Sequence, residues 1–443
     1  MVSELFEKFK NSSAWNKLLA EQKEMFEPFF NGENIFLTGA AGTGKSFILK
    51  TLFQFCESED VFISKTASTG IAALSIGGAT LHSWLGIGLG DESPDVLIDK
   101  IKAKENVYER VTKCKILVID EISMISGKLL NKVDYILRMV REKPDKPFGG
   151  IQMLITGDPF QLPPVSKEAI SDEDLFFFNS IAWKAGKFKM IKLSKVVRQS
   201  NPDMARALNL LRFGDDTMID YFAPCINKKL STEDGIEPIQ IFSKRYDVDK
   251  HNHRRLAMIK KPAKKYVAYD WGASHHIQFF HKNCPATKEI ELKEEAQVML
   301  LYNVNVEGGL VNGSLGVVTG FGPAGEVYVE FKNGVSFGVT PVKWEIKEER
   351  FRDGKPYYEV VAFRKQIPLK LAYATTIHKS QGQSFDKMVV DLTDVEWVQG
   401  GAYTGLSRAT NMDGLSIKNY NPKALNPKIF KPHPEVLKFY YNQ

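Results

Sequence analysis

The sequence predicts an α/β fold in which parallel sheets are covered by helices. A glycine-rich loop joins the apolar strand 34–38 to a helical pattern. Over roughly the first 165 residues, short apolar strands alternate with helical stretches, as in a parallel sheet. These strands lie near Ile35, Val61, Ile116 and Leu154. Candidate strands at 239–242 and 388–392 indicate a second unit of this class, which we expect to begin near Phe188.

The glycine-rich loop has the spacing Gly-x4-Gly-Lys-Ser, and its strand and helix flanks are those of a phosphate-binding loop. Glycines let backbone N–H groups turn inward, and the helix N-terminus adds a partial positive charge. We predict that Lys45 contacts the β- and γ-phosphates and that Ser46 binds Mg²⁺. The other loop residues expected to hold the nucleotide are Gly39, Ala40, Gly42, Thr43 and Gly44. The chain is therefore expected to bind and hydrolyse a nucleoside triphosphate.

Two adjacent acids complete the predicted nucleotide site. The apolar run 116–119 reads as a strand buried on both faces, and Asp120 and Glu121 follow it. Successive strand residues point in opposite directions, so Asp120 can hold Mg²⁺ while Glu121 polarises the attacking water. Gln161, in the Gly/Pro-rich turn after the strand near Leu154, is an uncharged donor that could contact the γ-phosphate.

Two arginines in the second unit are candidates for the same reaction. Arg198 follows an apolar strand, and Arg408 lies in a helix that begins near Tyr403. Arginines that reach the γ-phosphate from a second domain would stabilise the charge of the transition state. Each one alone would be read as a surface residue. Both arginines follow, in chain order, a predicted nucleotide site that has no arginine of its own near Gln161. This favours a catalytic role for them over the surface interpretation.

Composition indicates an intracellular protein of two to three domains. The chain has 443 residues and is 43% hydrophobic, which is ample for real cores. A net charge of +6 permits nucleic-acid binding without requiring it. The four cysteines are far apart and indicate no disulfide framework. We found no signal peptide and no apolar run long enough to span a membrane, so we expect no membrane partner.

Two insertions interrupt the α/β pattern. Residues 86–95 are rich in Gly, Asp, Ser and Pro, and together with the helical stretch up to Arg110 they read as a small insertion on the first domain. Between Ala296 and about Gln366, alternating strands are joined by turns that include Asn333-Gly334 and Asp353-Gly354. We interpret this second stretch as a small β-barrel inserted in the second α/β domain.

Several blocks of sequence resemble superfamily-one DNA helicases of the Pif type, which are relatives of RecD. The most specific are 146–152, the Asp-x-x-Gln-Leu-Pro-Pro block within 157–165, and His378-Lys-Ser-Gln-Gly. The others are the phosphate loop, 66–73, 80–88, 119–124 and 310–316, all in the family order. The resemblance covers almost the whole chain. One departure is the extra glycine content of 400–405, before Leu406-Ser-Arg.

The resemblance implies a specific domain organisation and some further site residues. It implies two RecA-like domains, 1–168 and 169–296 with 366–443, an SH3-like barrel at 297–365 and a wedge at about 86–110. It also implies that Gln22 reads the adenine edge and that Gln381 or Gly382 joins Lys45, Ser46, Asp120, Glu121, Gln161, Arg198 and Arg408 at the ATP site. Without the family, Gln22 would be an ordinary polar helix residue.

Single-stranded DNA is expected to run across both α/β domains, over residues that bind phosphates or stack on bases. Hydroxyl side chains and loop N–H groups suit phosphates, and aromatic rings suit bases of any sequence. The candidates on the first domain are Thr66, Ser68, Thr69, His82, Trp84 and Phe160, and those on the second are Thr376, His378, Lys379 and Ser380. Trp84 and Phe160 have an alternative interpretation as core aromatics.

Two other clusters have competing interpretations. His275, His276, His281 and Cys284 could in principle hold zinc, but their spacing matches no paired signature, and Phe279-Phe280 between them suggests a strand packing inward. The basic residues 254–255, 260–261 and 264–265 could follow DNA phosphates or form a solvated helix face.

The sequence therefore predicts an ATP-dependent, Mg²⁺-requiring DNA helicase that moves along single-stranded DNA and opens forked duplexes at the 86–110 wedge. The resemblance implies 5′-to-3′ movement. We also expect roles in DNA replication, repair, recombination and telomere maintenance, activity as a monomer, and a cytoplasmic, nucleoid-associated or other DNA-containing compartment. The alternative is a nucleotide-gated single-stranded DNA-binding or annealing protein. A GTPase switch is disfavoured by the second α/β domain.

Overall fold

The computed structural model divides into two compact units. The first comprises Met1–Val197, Ile346–Val361 and Pro434–Gln443, and the second comprises Arg198–Glu345 and Ala362–His433. The structure describes residues 2–88, 90–164, 171–199, 201–232, 235–305, 307–393, 395, 399–418 and 430–442. The domain boundary expected at residue 168 lies outside these ranges. None of the described helices is long and apolar enough to cross a membrane.

The first unit is built around a six-stranded parallel sheet with strand order β3-β2-β4-β5-β1-β6. The strands are β1 Ile35–Gly39, β2 Ser64–Ala67, β3 Ala79–Thr80, β4 Ile116–Asp120, β5 Gln152–Gly157 and β6 Lys189–Leu193. The helices are α1 Val2–Lys10, α2 Ser13–Asn16, α3 Ala20–Lys23, α4 Phe26–Phe30, α5 Lys45–Ser58, α6 Gly70–Ser75, α7 Leu81–Leu85, α8 Pro94–Lys102, α9 Glu105–Lys113, α10 Gly127–Val140, α11 Asp172–Leu175 and α12 Ile181–Gly186. The helix Pro434–Tyr441 also belongs to this unit.

The central strands of this sheet are apolar because both of their faces are covered. All five residues of β1 are buried, and β4 and β5 are buried after their first residue. Near-continuous apolar strands of this kind are typical of parallel sheets. The carboxyl ends of β1, β4 and β5 lie at one edge of the sheet, so the loops after Gly39, Asp120 and Gly157 are brought together there.

Strand β6 corrects the expectation that the second unit begins near Phe188. It pairs in parallel with β1, with Ile35 opposite Lys189 and Gly39 opposite Leu193, so the first unit continues to Val197. Only Ile191 and Leu193 of this strand are buried. Such alternation is usual for an edge strand, and it carries no information on which sheet the strand joins.

The predicted wedge consists of two amphipathic helices, α8 and α9, that follow Gly86. The second helix runs past Arg110 to Lys113. The Arg110 guanidinium is buried and donates from Nε to the Trp84 carbonyl at 2.6 Å and from Nη2 to the Ser83 carbonyl at 2.9 Å. Arg110 therefore anchors α9 to the end of α7 rather than ending the insertion. Leu89 lies outside the described residues.

The second unit combines a parallel α/β sheet with antiparallel sheets. Its helices are α13 Pro202–Phe213, α14 Met218–Phe222, α15 Arg245–Met258, α16 Ser274–Asn283, α17 Ile377–Ser380 and α18 Gly401–Leu406. Its strands, of which β15 and β16 extend into the first unit, are β7 Ile239–Phe242, β8 Ala263–Val267, β9 Tyr269–Gly272, β10 Glu289–Lys293, β11 Gln297–Leu300, β12 Leu315–Phe321, β13 Val327–Phe331, β14 Ser336–Val339, β15 Val342–Arg352, β16 Lys355–Gln366, β17 Leu369–Leu371, β18 Ala374–Thr376, β19 Met388–Asp391 and β20 Leu415–Lys418. The sheet orders are β18-β7-β19-β20, β14-β13-β12-β11-β17, β15-β16-β9 and β10-β8.

The region expected to form one barrel contributes to both units. Strands β11 to β14 lie within the stretch from Ala296 to about Gln366 for which alternating strands are predicted, and the turns at Gly334 and at Asp353-Gly354 have the positive φ angles that tight hairpins require. However, Ile346–Val361, the distal part of the β15–β16 hairpin, belongs to the first unit. A buried polar contact joins this segment to the rest of the first unit: the Glu349 carboxylate accepts from the Ser64 hydroxyl at 2.8 Å and from the Trp84 indole N–H at 3.2 Å.

Candidate nucleotide and nucleic-acid site

The phosphate loop of the first unit adopts a conformation that depends on its glycines. Gly42 and Gly44 have φ angles of 85° and 93°, which side chains other than glycine rarely adopt. The Lys45 ammonium donates to the carbonyls of Gly39 at 2.7 Å and Ala40 at 3.1 Å. Ser46 is exposed in the first turn of α5. The lysine thus lies along the loop, and the serine hydroxyl is free to meet a ligand above it.

Gln22 is held directly against this loop. Its side-chain Oε1 accepts from the Leu19 N–H at 3.0 Å, and its Nε2 donates to the Thr43 carbonyl at 3.1 Å. A Cβ atom on Gly44 would lie 2.6 Å from this Nε2, so the loop needs glycine there for two reasons. An amide has two N–H groups and an oxygen with two lone pairs. One donor and one acceptor therefore remain, which is the pair that recognises the N6/N7 edge of adenine.

Asp120 is a buried carboxylate at the end of β4. Its Oδ1 accepts from the Thr156 hydroxyl and from the Glu121 N–H at 3.0 Å. Burial raises the pKa of Asp120, and these hydrogen bonds and the Lys45 charge oppose that rise. Mg²⁺ is usually bound by one or two carboxylates together with hydroxyl, water and phosphate oxygens. Asp120 and Ser46 fit this donor set, and a cation beside Asp120 would offset the cost of burying its charge.

Glu121 has a strained backbone. Its φ and ψ angles of 57° and 48° lie in the left-handed region, which costs a residue other than glycine about 1 kcal/mol or more. Such conformations persist where the surrounding structure enforces them, often at functional sites. Here the left-handed conformation of Glu121 turns the chain sharply between β4 and the 3₁₀ turn Ile122–Met124. The side chains of Asp120 and Glu121 therefore point in different directions.

Gln161 is buried in the turn after β5 and is positioned by Asp158. Its Nε2 donates to Asp158 Oδ2 at 3.4 Å, and its backbone N–H donates to the Asp158 carbonyl at 3.0 Å. Asp158 is itself fully buried and also accepts from the Phe160 N–H at 3.3 Å. The contact of Gln161 with a γ-phosphate remains a prediction.

The nucleotide-site candidates of the second unit lie close to Ser407. Arg198 donates to the Ser407 carbonyl at 3.5 Å. Arg408 is buried and donates to the Thr404 carbonyl at 2.9 Å and to the Ser407 hydroxyl at 2.7 Å. Its Nη1 also lies 3.5 Å from the carbonyls of Ser380 and Gln383, which flank Gly382. The structure thus brings Arg198, Arg408 and Gly382 into one neighbourhood, and their role at a nucleotide stays a prediction.

Three of the DNA-contact candidates in the first unit are core residues in this structure. Trp84 and Phe160 are only 3% and 4% exposed, and Phe160 packs edge-on against Tyr440 with ring centroids 5.2 Å apart. Thr66 is buried in β2 and donates its hydroxyl to the Val118 carbonyl at 2.6 Å. A base cannot stack on a covered ring, so the core interpretation of Trp84 and Phe160 is the correct one here.

Ser68, Thr69 and His82 lie in or just after the loops that follow β2 and β3. The Ser68 N–H donates to the Asp120 carbonyl at 3.0 Å, which ties this loop to the end of β4. Thr69 caps α6 by accepting from the Ala72 N–H at 3.3 Å. Burial lowers the pKa of His82 and so favours the neutral ring, although the Asp91 charge opposes this shift. Thr69 and His82 remain candidates, whereas the Ser68 hydroxyl is buried in this structure.

The four candidates in the second unit divide into two pairs. His378 and Lys379 are exposed on α17 and can reach a ligand. Thr376 is buried and caps α17 by accepting from the Lys379 N–H at 3.1 Å. Ser380 is fully buried and donates to the Ile377 carbonyl at 2.8 Å. Thr376 and Ser380 therefore shape the turn that presents His378 and Lys379, and their hydroxyls are engaged within the protein.

The histidine cluster near residue 280 is helical, and the expected inward-packing strand is wrong. Ser274–Asn283 forms α16, in which only Phe280 is fully buried. His281 Nδ1 lies 3.1 Å from a guanidinium nitrogen of Arg364. Across the described ranges, no group of three or more His, Cys, Asp or Glu side chains could hold a metal ion. The structure gives this cluster no support as a zinc site.

Comparisons with known proteins agree with this geometry. Residues 17–215 match the model of the PIF1-like helicase family, and residues 279–321 match the DNA helicase Pif1 2B domain. The structure superposes on the Pif1 helicase of Candida albicans with a TM-score of 0.75 at 34% identity, covering 96% of this chain and 99% of that one. The chain belongs to the Pif1 family of helicases.

Two other Pif1 relatives extend the comparison. The ATP-dependent DNA helicase PIF1 of Xenopus laevis is 37% identical over 96% of this chain, and the chain spans 64% of that protein's length. A Bacteroides Pif1 in complex with ADP-AlF4 superposes with a TM-score of 0.83 at 31% identity, covering 96% of each chain. The Bacteroides protein has also been solved bound to single-stranded DNA.

Sequence reasoning missed three residues that build the Pif1-type nucleotide site of this chain. Thr156 and Asp158 hold Asp120 and Gln161, respectively. Glu21 accepts from the Ser194 N–H at 3.0 Å, the Ser194 hydroxyl at 2.6 Å and the Lys195 N–H at 2.8 Å, and so fixes the helix that carries Gln22. Thr156 and Asp158 flank a glycine at a strand end, and this was the available signal. Glu21 had none, because its partners are 173 residues away or more.

Proposed function

We propose that this chain is an ATP-dependent DNA helicase that moves 5′ to 3′ along single-stranded DNA and separates duplex strands. The observation that carries the proposal is the site in the first unit, where Gln22, the phosphate loop and Asp120 meet at the carboxyl edge of a parallel sheet. Membership of the Pif1 family, with Bacteroides complexes of ADP-AlF4 and single-stranded DNA, supports this function.

Each residue of the nucleotide site has a distinct part in the proposed reaction. Gln22 pairs with the adenine edge, and Lys45 exchanges its contacts with loop carbonyls for contacts with phosphate oxygens. Ser46 and Asp120 would hold Mg²⁺, which supplies positive charge to the β- and γ-phosphates. Glu121 takes the proton of the attacking water, and Gln161 contacts the γ-phosphate. Arg198 and Arg408 stabilise the charge that develops on the phosphoryl group, near Gly382.

The candidate residues that remain accessible would bind the DNA. His378 and Lys379 supply a stacking or hydrogen-bonding ring and a cation, and Thr69, in the loop after β2, and His82 supply hydroxyl, backbone and imidazole contacts. The Ser68 N–H contact with Asp120 links this loop to the nucleotide site. Residues 86–113 would act as the wedge at a fork. A Pif1 structure at forked duplex DNA contains two coordinating helicases, so we propose action as a monomer only for translocation.

The proposal is tested by two activities of the same preparation. We expect single-stranded oligonucleotides to stimulate ATP hydrolysis, and we expect a labelled strand to be released from a forked duplex only when ATP and Mg²⁺ are present. A protein that binds the oligonucleotide and hydrolyses ATP but never releases the strand would be a nucleotide-gated binding or annealing protein. The Glu121→Gln variant is the matched control, because it should bind both ligands and release no strand.

A further inference from the structure

Three aromatic side chains form an exposed ladder on the three-stranded sheet of the second unit. Tyr269 and Trp271 are two residues apart on β9, so they point to the same face. Trp271 pairs with Phe363 on β16, and their rings stack at 5.5 Å between centroids with an interplanar angle of 22°. The Tyr269 and Phe363 centroids are 6.0 Å apart. We call these three residues the aromatic face.

The aromatic face is open to solvent to an unusual degree. Tyr269 is 60% exposed and Trp271 is 48% exposed. Aromatic side chains bury large areas when they pack, so rings left exposed side by side indicate a surface that meets a ligand. The three rings lie outside every sequence block that carries the Pif1 resemblance.

The opposite side of the sheet is rigidly held. Arg364, which alternates with Phe363, is fully buried and makes two hydrogen bonds to the Asp270 carboxylate at 2.7 and 2.8 Å. It also donates to the carbonyls of Phe280 and Ala286 at 3.3 and 3.0 Å. This bidentate pair fixes β9 against β16 and α16. The rings above it are therefore preorganised, which lowers the entropic cost of binding a ligand.

Cations lie beside the rings. The Lys343 ammonium, on β15, is 4.5 Å from the centroid of Phe363. Lys365 is exposed and pairs with Tyr269 across the sheet. Flat rings next to flexible cations match a single-stranded nucleic acid, whose bases have π-faces and whose phosphates are anionic. An apolar peptide would use the rings and leave the lysines without a role.

We infer that the aromatic face binds single-stranded nucleic acid, with bases stacked on Tyr269 and Trp271 and phosphates near Lys343 and Lys365. This inference extends the proposed function, on which it rests, because it adds a second contact region beyond His378 and Lys379. Stacking is tolerant of sequence, so the region would lengthen the bound strand without adding sequence preference.

The test uses fluorescence anisotropy to compare the binding of oligothymidylates of about 8 and about 30 nucleotides. We expect only the longer strand to occupy the aromatic face in addition to the contacts at His378 and Lys379. The double variant Tyr269→Leu/Trp271→Leu keeps apolar side chains but removes both π-faces. We expect it to bind the long strand about tenfold more weakly than the wild type and the short strand equally well. Tyr328→Leu, at a tyrosine 45% exposed on β13, is the matched control and should leave both affinities unchanged.

Two further arms distinguish the contacts and the ligand. For Lys343→Gln, the slope of log binding constant against log salt concentration for the long strand should be smaller in magnitude by about 0.7. This is the value expected for one lost phosphate contact on a single strand. Oligouridylates of the same two lengths show whether RNA is accepted as well as DNA. Far-ultraviolet circular dichroism and basal ATP hydrolysis, which we expect to be unchanged, establish that each variant is folded.

The outcomes separate this inference from the proposed function. If the wild type binds neither oligonucleotide, the proposed function and the inference are both overturned. If the double variant binds the long strand as well as the wild type does, the inference alone is overturned. The same holds if the variant instead abolishes self-association in sedimentation experiments and leaves oligonucleotide affinity unchanged, because the face would then be a contact between copies.

Discussion

At the scale of single residues, the nucleotide site depends on small groups that hold larger ones in place. Gln22 needs a glycine at position 44, since any Cβ there would meet its amide at 2.6 Å. Asp120 needs the Thr156 hydroxyl, and Gln161 needs Asp158. Such supporting contacts keep reactive groups in one geometry before the ligand arrives.

Lys45 and Glu121 are expected to fail in different ways when they are substituted. Lys45→Ala should weaken ATP binding and abolish turnover, because the phosphates lose their main cation. Glu121→Gln should retain ATP and DNA binding but hydrolyse ATP at least ~10²-fold more slowly, the usual loss on removal of a positioned base. Single-turnover hydrolysis and nucleotide-binding assays separate the two effects. Near-normal hydrolysis by Glu121→Gln would remove that residue from the catalytic set.

The two arginines offer a second prediction at this scale. Lysine cannot reproduce the planar fork of a guanidinium, so Arg198→Lys should bind ATP almost normally and lose DNA-stimulated hydrolysis. Arg408→Lys should lose hydrolysis and stability together, because buried Arg408 also holds Thr404 and Ser407. Arg198→Lys is therefore the cleaner test, with thermal unfolding as its control. Full turnover in that variant would mean that Arg198 is structural.

At the scale of elements, the β15–β16 hairpin carries a buried acid into the first unit. Burial raises the pKa of Glu349, and its hydrogen bonds from Ser64 and Trp84 oppose the rise. A raised carboxyl pKa favours the folded state at low pH, and this advantage is lost as the pH rises above the usual value of 4.5. At neutral pH, the buried charge therefore costs stability.

Glu349→Gln should consequently stabilise the protein at pH 7 by about 1 kcal/mol and have less effect near pH 4. The glutamine oxygen can still accept from Ser64 and Trp84. The measurement is the thermal midpoint from pH 4 to pH 7, with an expected gain of about 2 °C at pH 7. Glu348→Gln, at the more accessible neighbouring acid, is the matched control. A midpoint difference that shrinks as pH rises would contradict this account.

Strand β17 contains a second group whose charge is costly. Burial, together with the nearby Lys379 charge, lowers the pKa of Lys370 to about 8. Because the unfolded chain binds this proton more tightly, stability rises with pH between about 8 and 10.5. Lys370→Met should thus unfold at a higher temperature than the wild type at pH 7, and the difference should vanish toward pH 10.5. Lys282→Met, at an exposed lysine of α16, is the matched control.

The sequence was sufficient to predict the elements whose patterns are local. The phosphate loop, β1, β4 and β5 lie where apolar runs and glycine spacing place them, and the Asn333-Gly334 turn lies where its residues require. The partner of a strand is a long-range property. For this reason the local pattern does not place β6 in the first unit. The burial of Trp84 and Phe160 likewise depends on distant residues, since Trp84 contacts Glu349 and Phe160 contacts Tyr440.

At the scale of the whole molecule, each unit contributes a different part of the proposed machine. The first unit holds the adenine, phosphate and metal candidates, and the second holds the two arginines, His378 and Lys379 and the aromatic face. The family shows which activity to expect. The domain boundaries at 168, 296 and 365 remain proposals. The two compact units are divided differently, because the hairpin segment Ile346–Val361 and β6 both belong to the first unit.

The most direct test of the proposed motor compares strand displacement from 5′-tailed and 3′-tailed duplexes of the same sequence, with ATP and Mg²⁺. Movement from 5′ to 3′ along the tail predicts that the wild type displaces the strand from the 5′-tailed duplex only, and that Glu121→Gln displaces neither. Equal displacement from both duplexes, displacement from the 3′-tailed duplex alone, or displacement without ATP would contradict the account.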